Sequence, residues 1–334
     1  MPQGKVNAVG GPDARGGDRT ELQKWTSPCD AREALALWAE AFGEAEAALE
    51  APQLDGSEAG ENLNLLFSLR EDGVLVGTLH ATISAENPAL CGLSGMCVAP
   101  EYRGRGLAGR LLGDMLKELS ARGVRTVFLG TDNPVATRLY RRFGFSFLPG
   151  SNVMARYMGD GAAGGEFRRF GRVEGPFRLE EGSPKARIPL IPLALQRGSQ
   201  LLLDANAGLL SCAEVTQRSC MGLYPKYAAI RQAGGAFFCA WDAAGTLGAV
   251  ASALPMGEDV RADFFCCDAF NPAVSGLLSM CEARLGAVSL WIARDDAGKR
   301  NCVEQLGYHP AGERLLPVGR LCVPCVSYER PQRR

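Results

Sequence analysis

The sequence predicts a mixed α/β chain in which one fold occurs twice in tandem, each copy a mixed sheet covered by helices. Three observations carry that prediction. The chain has 334 residues, more than one core of ordinary size requires. Its first half reads as helix, hairpin, strand, helix, strand, helix and two short strands. After a Gly-rich break the same order returns: "FFCAWDAAGTLGAVASAL" repeats the pattern of "LLFSLREDGVLVGTLHAT", and "VSLWIARDDAGKRNCVEQLGYHPAGE" lies on "RTVFLGTDNPVATRLYRRFGFSFLPG" with Gly307 opposite Gly144.

Each element follows from a local signal. Residues 1–20 are Gly-rich and polar, a flexible lead-in. Ser27, Pro28 and Asp30 make a helix start, and Leu35, Trp38 and Phe42 share one face of the helix that follows. Glu40, Glu44, Glu46 and Glu50 continue along it, as a solvated face or as a wall attracting a cationic substrate. Asp72-Gly73 suits the turn of a hairpin between 65–69 and 74–84. An apolar strand spans 90–98, followed by a helix to about 121, a strand at 125–131, a helix at 134–142 and short strands near 145–148 and 153–157. Residues 159–175 read as a Gly-rich linker between domains at 21–158 and 176–334. In the second domain, 200–235 reads as helix-rich.

The composition is that of a soluble globular protein, 46% hydrophobic and 22% charged, with a net charge of −1. That balance supplies no field to draw the chain to nucleic acid or an anionic membrane, and the basic tail ERPQRR reads as a solvated end. Apolar runs such as 188–195 fall short of a membrane span, and the N-terminus lacks the apolar core of a secretory signal. A cytoplasmic location follows, with the 12 cysteines reduced. Only Cys322 and Cys325 have ligand-like spacing and the chain has 2 histidines, so no metal is expected.

The chemistry gathers at "VAPEYRGRGLAGRLL", residues 98–112. Gly104 and Gly106 permit a sharp turn and close approach of a ligand. Leu107, Leu111, Leu112, Met115, Leu116 and Leu119 then recur with helical period, so the glycines lie at a helix N-terminus, where open amides and the dipole favour an anion. A run of such amides suits a pyrophosphate, and Arg103, Arg105 and Arg110 add charge. On these residues alone, a solvated basic loop reads equally well. A P-loop is excluded, because GxxxxGK followed by Ser or Thr is missing. Residues 104–109 spell GxGxxG, but no ribose-binding acid appears in 124–130, which argues against a dinucleotide site.

The stretch Val98-Ala-Pro-Glu-Tyr-Arg103-Gly-Arg-Gly106-Leu-Ala108 resembles the acyl-CoA loop of the GNAT N-acetyltransferase superfamily, whose pattern is Gln or Arg, two residues, Gly, one residue, then Gly or Ala. Asp132-Asn133-Pro-Val-Ala136-Thr-Arg-Leu139-Tyr140-Arg-Arg-Phe-Gly144-Phe145 follows at the expected distance and is similar to the family's second signature. The resemblance covers 20–158. It implies an enzyme that uses acetyl-CoA as co-substrate and passes the acetyl group directly, in a ternary complex, to the primary amine of a small molecule or peptide. It implies that Arg103, Gly104, Arg105, Gly106, Leu107, Ala108, Gly109 and Arg110 form the pyrophosphate cradle. Backbone groups of Met96, Cys97 and Val98 would pair with the pantetheine arm between splayed strands, one amide polarising the acetyl carbonyl. Asn133 and Ala136 would contact the cofactor, and Tyr140 would protonate the departing thiolate.

The base is harder to assign. A lysine-like amine of pKa ~10.4 costs roughly 4–5 kcal/mol to deprotonate at neutral pH. Members of the family often place a carboxylate on the central strands, and 91–98 holds none. His80 is the candidate by virtue of its near-neutral pKa if it faces the cleft, although a lone strand histidine is commonly structural. Cys97 as an acyl carrier has no histidine nearby in sequence, and the family transfers directly.

In the second half Asp296 falls on Asn133 and Val303 on Tyr140, while "CCDAFNPAVSGLL" has no RxxGxG and is shorter, with Gly276 alone. The expectation is a degenerate, non-catalytic GNAT-like domain that shapes the entrance, dimerises or binds a ligand of its own; a homodimer is left open. The competing reading of the whole chain is a non-catalytic acyl-CoA sensor or interaction protein.

Overall fold

The computed structural model describes residues 20–159, 172–196, 202–210, 220–318 and 321–331. The chain divides into two compact units: Met1–Ser146 with Met154–Gly161 and Ser219–Met221, and Phe147–Val153 with Ala162–Arg218 and Gly222–Arg334. Most of the expected lead-in and linker lies outside the described residues.

The first unit is built on a seven-stranded sheet of order β1-β2-β3-β4-β5-β7-β6. Its strands are β1 (Thr20–Thr26), β2 (Asn62–Glu71), β3 (Val74–Ser84), β4 (Leu90–Val98), β5 (Thr126–Gly130), β6 (Ser146–Phe147) and β7 (Val153–Tyr157). The first four form an antiparallel meander, and β4 pairs parallel with β5. The helices are α1 (Arg32–Phe42), α2 (Glu44–Leu54), α3 (Leu107–Ala121) and α4 (Pro134–Arg142). Strand alternation sorts side chains to two cores. Leu79, Ala81 and Ile83 of β3 join the buried α3 residues Leu111, Leu112 and Met115, while Leu66 and Cys97 pack with Trp38 of α1. Asp72 and Gly73 both have positive φ, as the expected hairpin turn demands.

Two expectations for this unit are corrected. The first helix begins at Arg32, not at Pro28. The Ser27 amide donates to the Asn64 carbonyl and the Cys29 amide to the Leu54 carbonyl, which ties 27–29 to β2 and α2. Phe42 is half exposed instead of facing the core, because the helix ends there and Gly43 (φ 102°) turns the chain into α2.

The second unit repeats the arrangement. Its strands are β8 (Arg178–Glu181), β9 (Leu202–Asp204), β10 (Leu209–Leu210), β11 (Ala236–Trp241), β12 (Leu247–Met256), β13 (Asp259–Cys266), β14 (Ser289–Ala293), β15 (His309–Val318) and β16 (Leu321–Glu329). The helices are α5 (Leu190–Leu195), α6 (Leu223–Gln232), α7 (Asn271–Leu285) and α8 (Ala297–Gln305). Its seven-stranded sheet runs β8-β11-β12-β13-β14-β16-β15, the order of the first sheet, again with one parallel pair, β13 with β14. The helix ends match bond for bond: the Phe145 amide donates to Tyr140 O as Tyr308 does to Val303 O, and Gly144 and Gly307 have φ of 81° and 84°. The helix-rich expectation for 200–235 is wrong at its start, where β9 and β10 form a hairpin. Asp204 Oδ1 accepts from the amides of Asn206 and Ala207, a side-chain-closed turn that Gly208 completes at φ 60°.

Candidate functional site

The site begins where β4 leaves β5. The two strands pair only at Leu90–Thr126, Cys91–Val127 and Gly92–Phe128, yet β4 continues to Val98. Between the pairs His80–Ser94 and Thr78–Cys97 the register with β3 slips, leaving Gly95 and Met96 in a bulge. Gly95 has φ 59°, and a Cβ there would stand 2.3 Å from the Trp38 ring. The indole of Trp38 donates to Thr78 Oγ1 at 2.7 Å, and that hydroxyl donates to Gly95 O at 2.8 Å. A buried aromatic thus fixes the bulge in place. Because the Ala99 amide donates to Val76 O of β3, strand alternation turns the Val98 peptide groups to the other side, where Arg103 Nε donates to Val98 O at 3.0 Å.

After β4 a short turn, Pro100–Tyr102, leads to Arg103–Gly106 and α3. Gly104 and Gly106 have φ of 79° and 80°, and a Cβ on either would meet nothing. Conformation, not crowding, calls for glycine here. The Arg110 amide donates to Gly106 O at 3.1 Å, so the amides of Leu107, Ala108 and Gly109 precede the first helical donor and face out of the helix end. The arginine side chains serve the scaffold. Arg105 forms a two-pronged pair with Glu71 (2.9 and 2.7 Å) and lies over the Tyr102 ring, and Arg110 Nη1 donates to Thr20 O at 3.1 Å.

Across the splay, Asn133 caps α4. Its Oδ1 accepts from the amides of Val135 (2.8 Å) and Ala136 (3.3 Å), which leaves its Nδ2 as the group able to meet a ligand. Tyr140, on α4, is buried beside Phe145 with ring centroids 5.8 Å apart. Burial pushes its phenol well above the usual range, so it is protonated at neutral pH. Cys97 is buried in the Trp38 core and its thiol is pushed up by desolvation, the opposite of an activated nucleophile.

His80 is fully buried on the α1–α2 face of the sheet, and the structure supplies neighbours that the sequence did not reveal. Its Nδ1 lies 2.9 Å from Ser94 Oγ and 3.3 Å from Glu50 Oε2 of α2. The same Glu50 oxygen accepts from Ser94 Oγ at 2.9 Å and from Gln53 Nε2 at 2.7 Å. Glu40, Glu44 and Glu46 are exposed; Glu50 alone of that acidic series turns inward. The signal missed was the inward face of α2, where Gln53, fully buried, stands three positions on.

Residues 29–145 match the model of the Acetyltransferase (GNAT) family. This segment is a GNAT-family domain. Among solved structures, the chain is similar to a GNAT family N-acetyltransferase from Escherichia coli in complex with CoA (25% identity, TM-score 0.36, covering 45% of this chain and 87% of that one). It is similar to a GNAT family acetyltransferase from Brucella melitensis in complex with acetyl-CoA (25% identity, TM-score 0.34, covering 42% and 88%). A third is the ribosomal-protein-S18-alanine N-acetyltransferase from Escherichia coli (20% identity, TM-score 0.31, covering 42% and 97%). No curated protein matches the chain. Among the described residues no group of His, Cys, Asp or Glu could hold a metal ion, and no helix is long and apolar enough to cross a membrane.

The second unit differs from the GNAT domain at each of these points. β13 pairs with β12 in unbroken register from Asp259 to Cys266, without a bulge. Its short turn, Asp268–Phe270, runs straight into α7 at Asn271, with nothing in place of Arg103–Gly106. β13 also parts from β14 after Arg261–Ser289 and Ala262–Leu290. There Lys299 of α8, which falls on Ala136 in the register that puts Gly307 on Gly144, reaches in. Its Nζ donates to Asp263 Oδ1 at 2.6 Å and to the carbonyls of Leu202 and Leu203 at 3.0 and 3.1 Å.

Proposed function

We propose that the GNAT domain is an acetyl-CoA-dependent N-acetyltransferase, with domain limits 21–158, and that 176–334 is a degenerate, non-catalytic copy. The observation that carries this reading is the pairing of a left-handed glycine loop on open helix amides with a bulged strand that diverges from its parallel neighbour. The amides of 105–110, with Gly104 and Gly106 shaping the turn, suit the two charges of a pyrophosphate. Peptide groups at Met96–Val98 suit an extended arm lying along β4.

In the reaction proposed, a neutral primary amine attacks the thioester carbonyl. The C–N bond forms as the C–S bond breaks, and an amide near Met96 stabilises the oxyanion. Tyr140 gives its proton to the departing thiolate. Its burial keeps that proton in place beforehand, in the form an acid requires. The proton that the nitrogen sheds on becoming an amide is returned to the phenol by way of solvent. The acceptor is a small molecule or peptide bearing a primary amine.

The test is thiol release from acetyl-CoA over a panel of primary amines and N-terminal peptides, with calorimetry for acetyl-CoA alone. Acetyl transfer supports the reading. Binding without transfer to any member supports the sensor instead.

A further inference from the structure

We infer that His80 takes the proton from the acceptor amine at Nε2, with Glu50 and Ser94 as its positioning residues; this rests on the acetyltransferase reading above. Ser94 Oγ carries one hydrogen and donates it to the Glu50 carboxylate, 2.9 Å away. It therefore has none for His80, and its contact with Nδ1, at 2.9 Å, needs the proton to come from the ring. The Glu50 oxygen 3.3 Å from Nδ1 favours the same proton position. A neutral His80 thus carries its hydrogen on Nδ1 and a lone pair on Nε2. That nitrogen is buried and has no hydrogen-bond partner among the described residues. Buried polar atoms without a partner are rare and expensive. An acceptor nitrogen aimed by a carboxylate on the far side of the ring is the arrangement by which an imidazole serves as a base.

Position supports the assignment. Ser94 is the strand partner of His80, and the next pair along, Thr78–Cys97, lies across the bulge of Gly95 and Met96 where the thioester carbonyl is proposed to sit. The step balances simply. The ammonium gives one proton to Nε2, directly or through one water, and the freed amine keeps its lone pair for attack. The imidazolium so formed faces Glu50, and the proton leaves to solvent once product departs. Two thiols lie near the cluster among the described residues. Cys97 is raised by burial, and Cys220, beside Glu50, is pushed up to about 12 chiefly by burial, so both are protonated and uncharged.

The chain has 2 histidines, His80 and the exposed His309, so long-range proton–nitrogen spectra of the full histidine-labelled protein read the tautomer directly, with His309→Gln for assignment. The expected result is a hydrogen on Nδ1 and none on Nε2 near neutral pH. A hydrogen on Nε2 overturns the inference and leaves the acetyltransferase reading untouched. In turnover with the best amine of the panel, His80→Gln is expected to lower kcat about 10²-fold near pH 7, and Glu50→Gln about 10-fold. Both losses should shrink to under about 3-fold near the pKa of the amine, with acetyl-CoA affinity unchanged as proof of folding. Equal losses at both pH values overturn the assignment. If the wild-type protein acetylates no amine, the function falls and this inference with it.

Discussion

The two sheets of this chain share strand order and the position of the parallel pair, yet one leaves its splay beside a run of open helix amides and the other fills itself. The difference lies in few residues. The first unit inserts Arg103–Gly106 between turn and helix, bends β4 around the Trp38 ring at Gly95, and places small Ala136 on the first turn of α4. The second drops the loop, keeps its strand in register and puts Lys299 where Ala136 would be, bonded to Asp263 and to two carbonyls of the 202–210 segment. A sheet topology therefore does not specify a site. The amides left open by a loop, and the side chains that do or do not close the splay, decide it.

The largest expected effect comes from making the first unit like the second. Removing 103–106 deletes the left-handed glycines, and acetyl-CoA affinity should fall by more than about 10³-fold by calorimetry, since several charge-assisted bonds go together. The converse is opening the second unit. Lys299→Met strands the buried carboxylate of Asp263, and denaturant unfolding should show a loss of about 3–5 kcal/mol. The double variant Lys299→Met with Asp263→Leu should recover most of it. Tyr140→Phe keeps the ring packing of α4 and should lower kcat about 10²-fold with acetyl-CoA affinity unchanged. Trp38→Phe removes the indole donor to Thr78 and should cost about 1 kcal/mol in stability.

A further effect is one of pH. Burial lifts Asp263 to about 6 from 3.8, against the lowering pull of Lys299. The folded state then holds that proton more tightly than the unfolded one. Its ionised burial weighs against stability above about pH 6, and the penalty fades as pH falls through that value. Wild type should therefore gain on Asp263→Asn between about pH 7.5 and pH 5 in parallel unfolding curves.

Much of this was legible in the sequence, for physical reasons that also mark where legibility stopped. Helix period and glycine placement fixed α3 and its start, and Asp72-Gly73 fixed the first hairpin, because these signals are local. β1 went unread: TELQKWT has no clean alternation and is a strand by pairing with β2 at the sheet edge. β9 and β10 were missed because the apolar letters of 202–210 mask a turn held by Asp204. The partnership of Glu50 with Ser94 spans a sequence separation of 44, and periodicity can say only that Glu50 lies on a helix. The charges of the arginines stand out in the sequence, but their pairing, Arg105 with Glu71 and Arg103 with Val98 O, depends on the fold.

The central claim is that the chain holds acyl-CoA in one unit and at one loop. Calorimetric titration of the full chain with acetyl-CoA, beside Gly106→Val, tests it most directly, because a β-branched residue resists the φ of 80° that Gly106 adopts. The account expects one site per chain in the wild type and none measurable in the variant. Two sites per chain, or undiminished affinity in Gly106→Val, would contradict it.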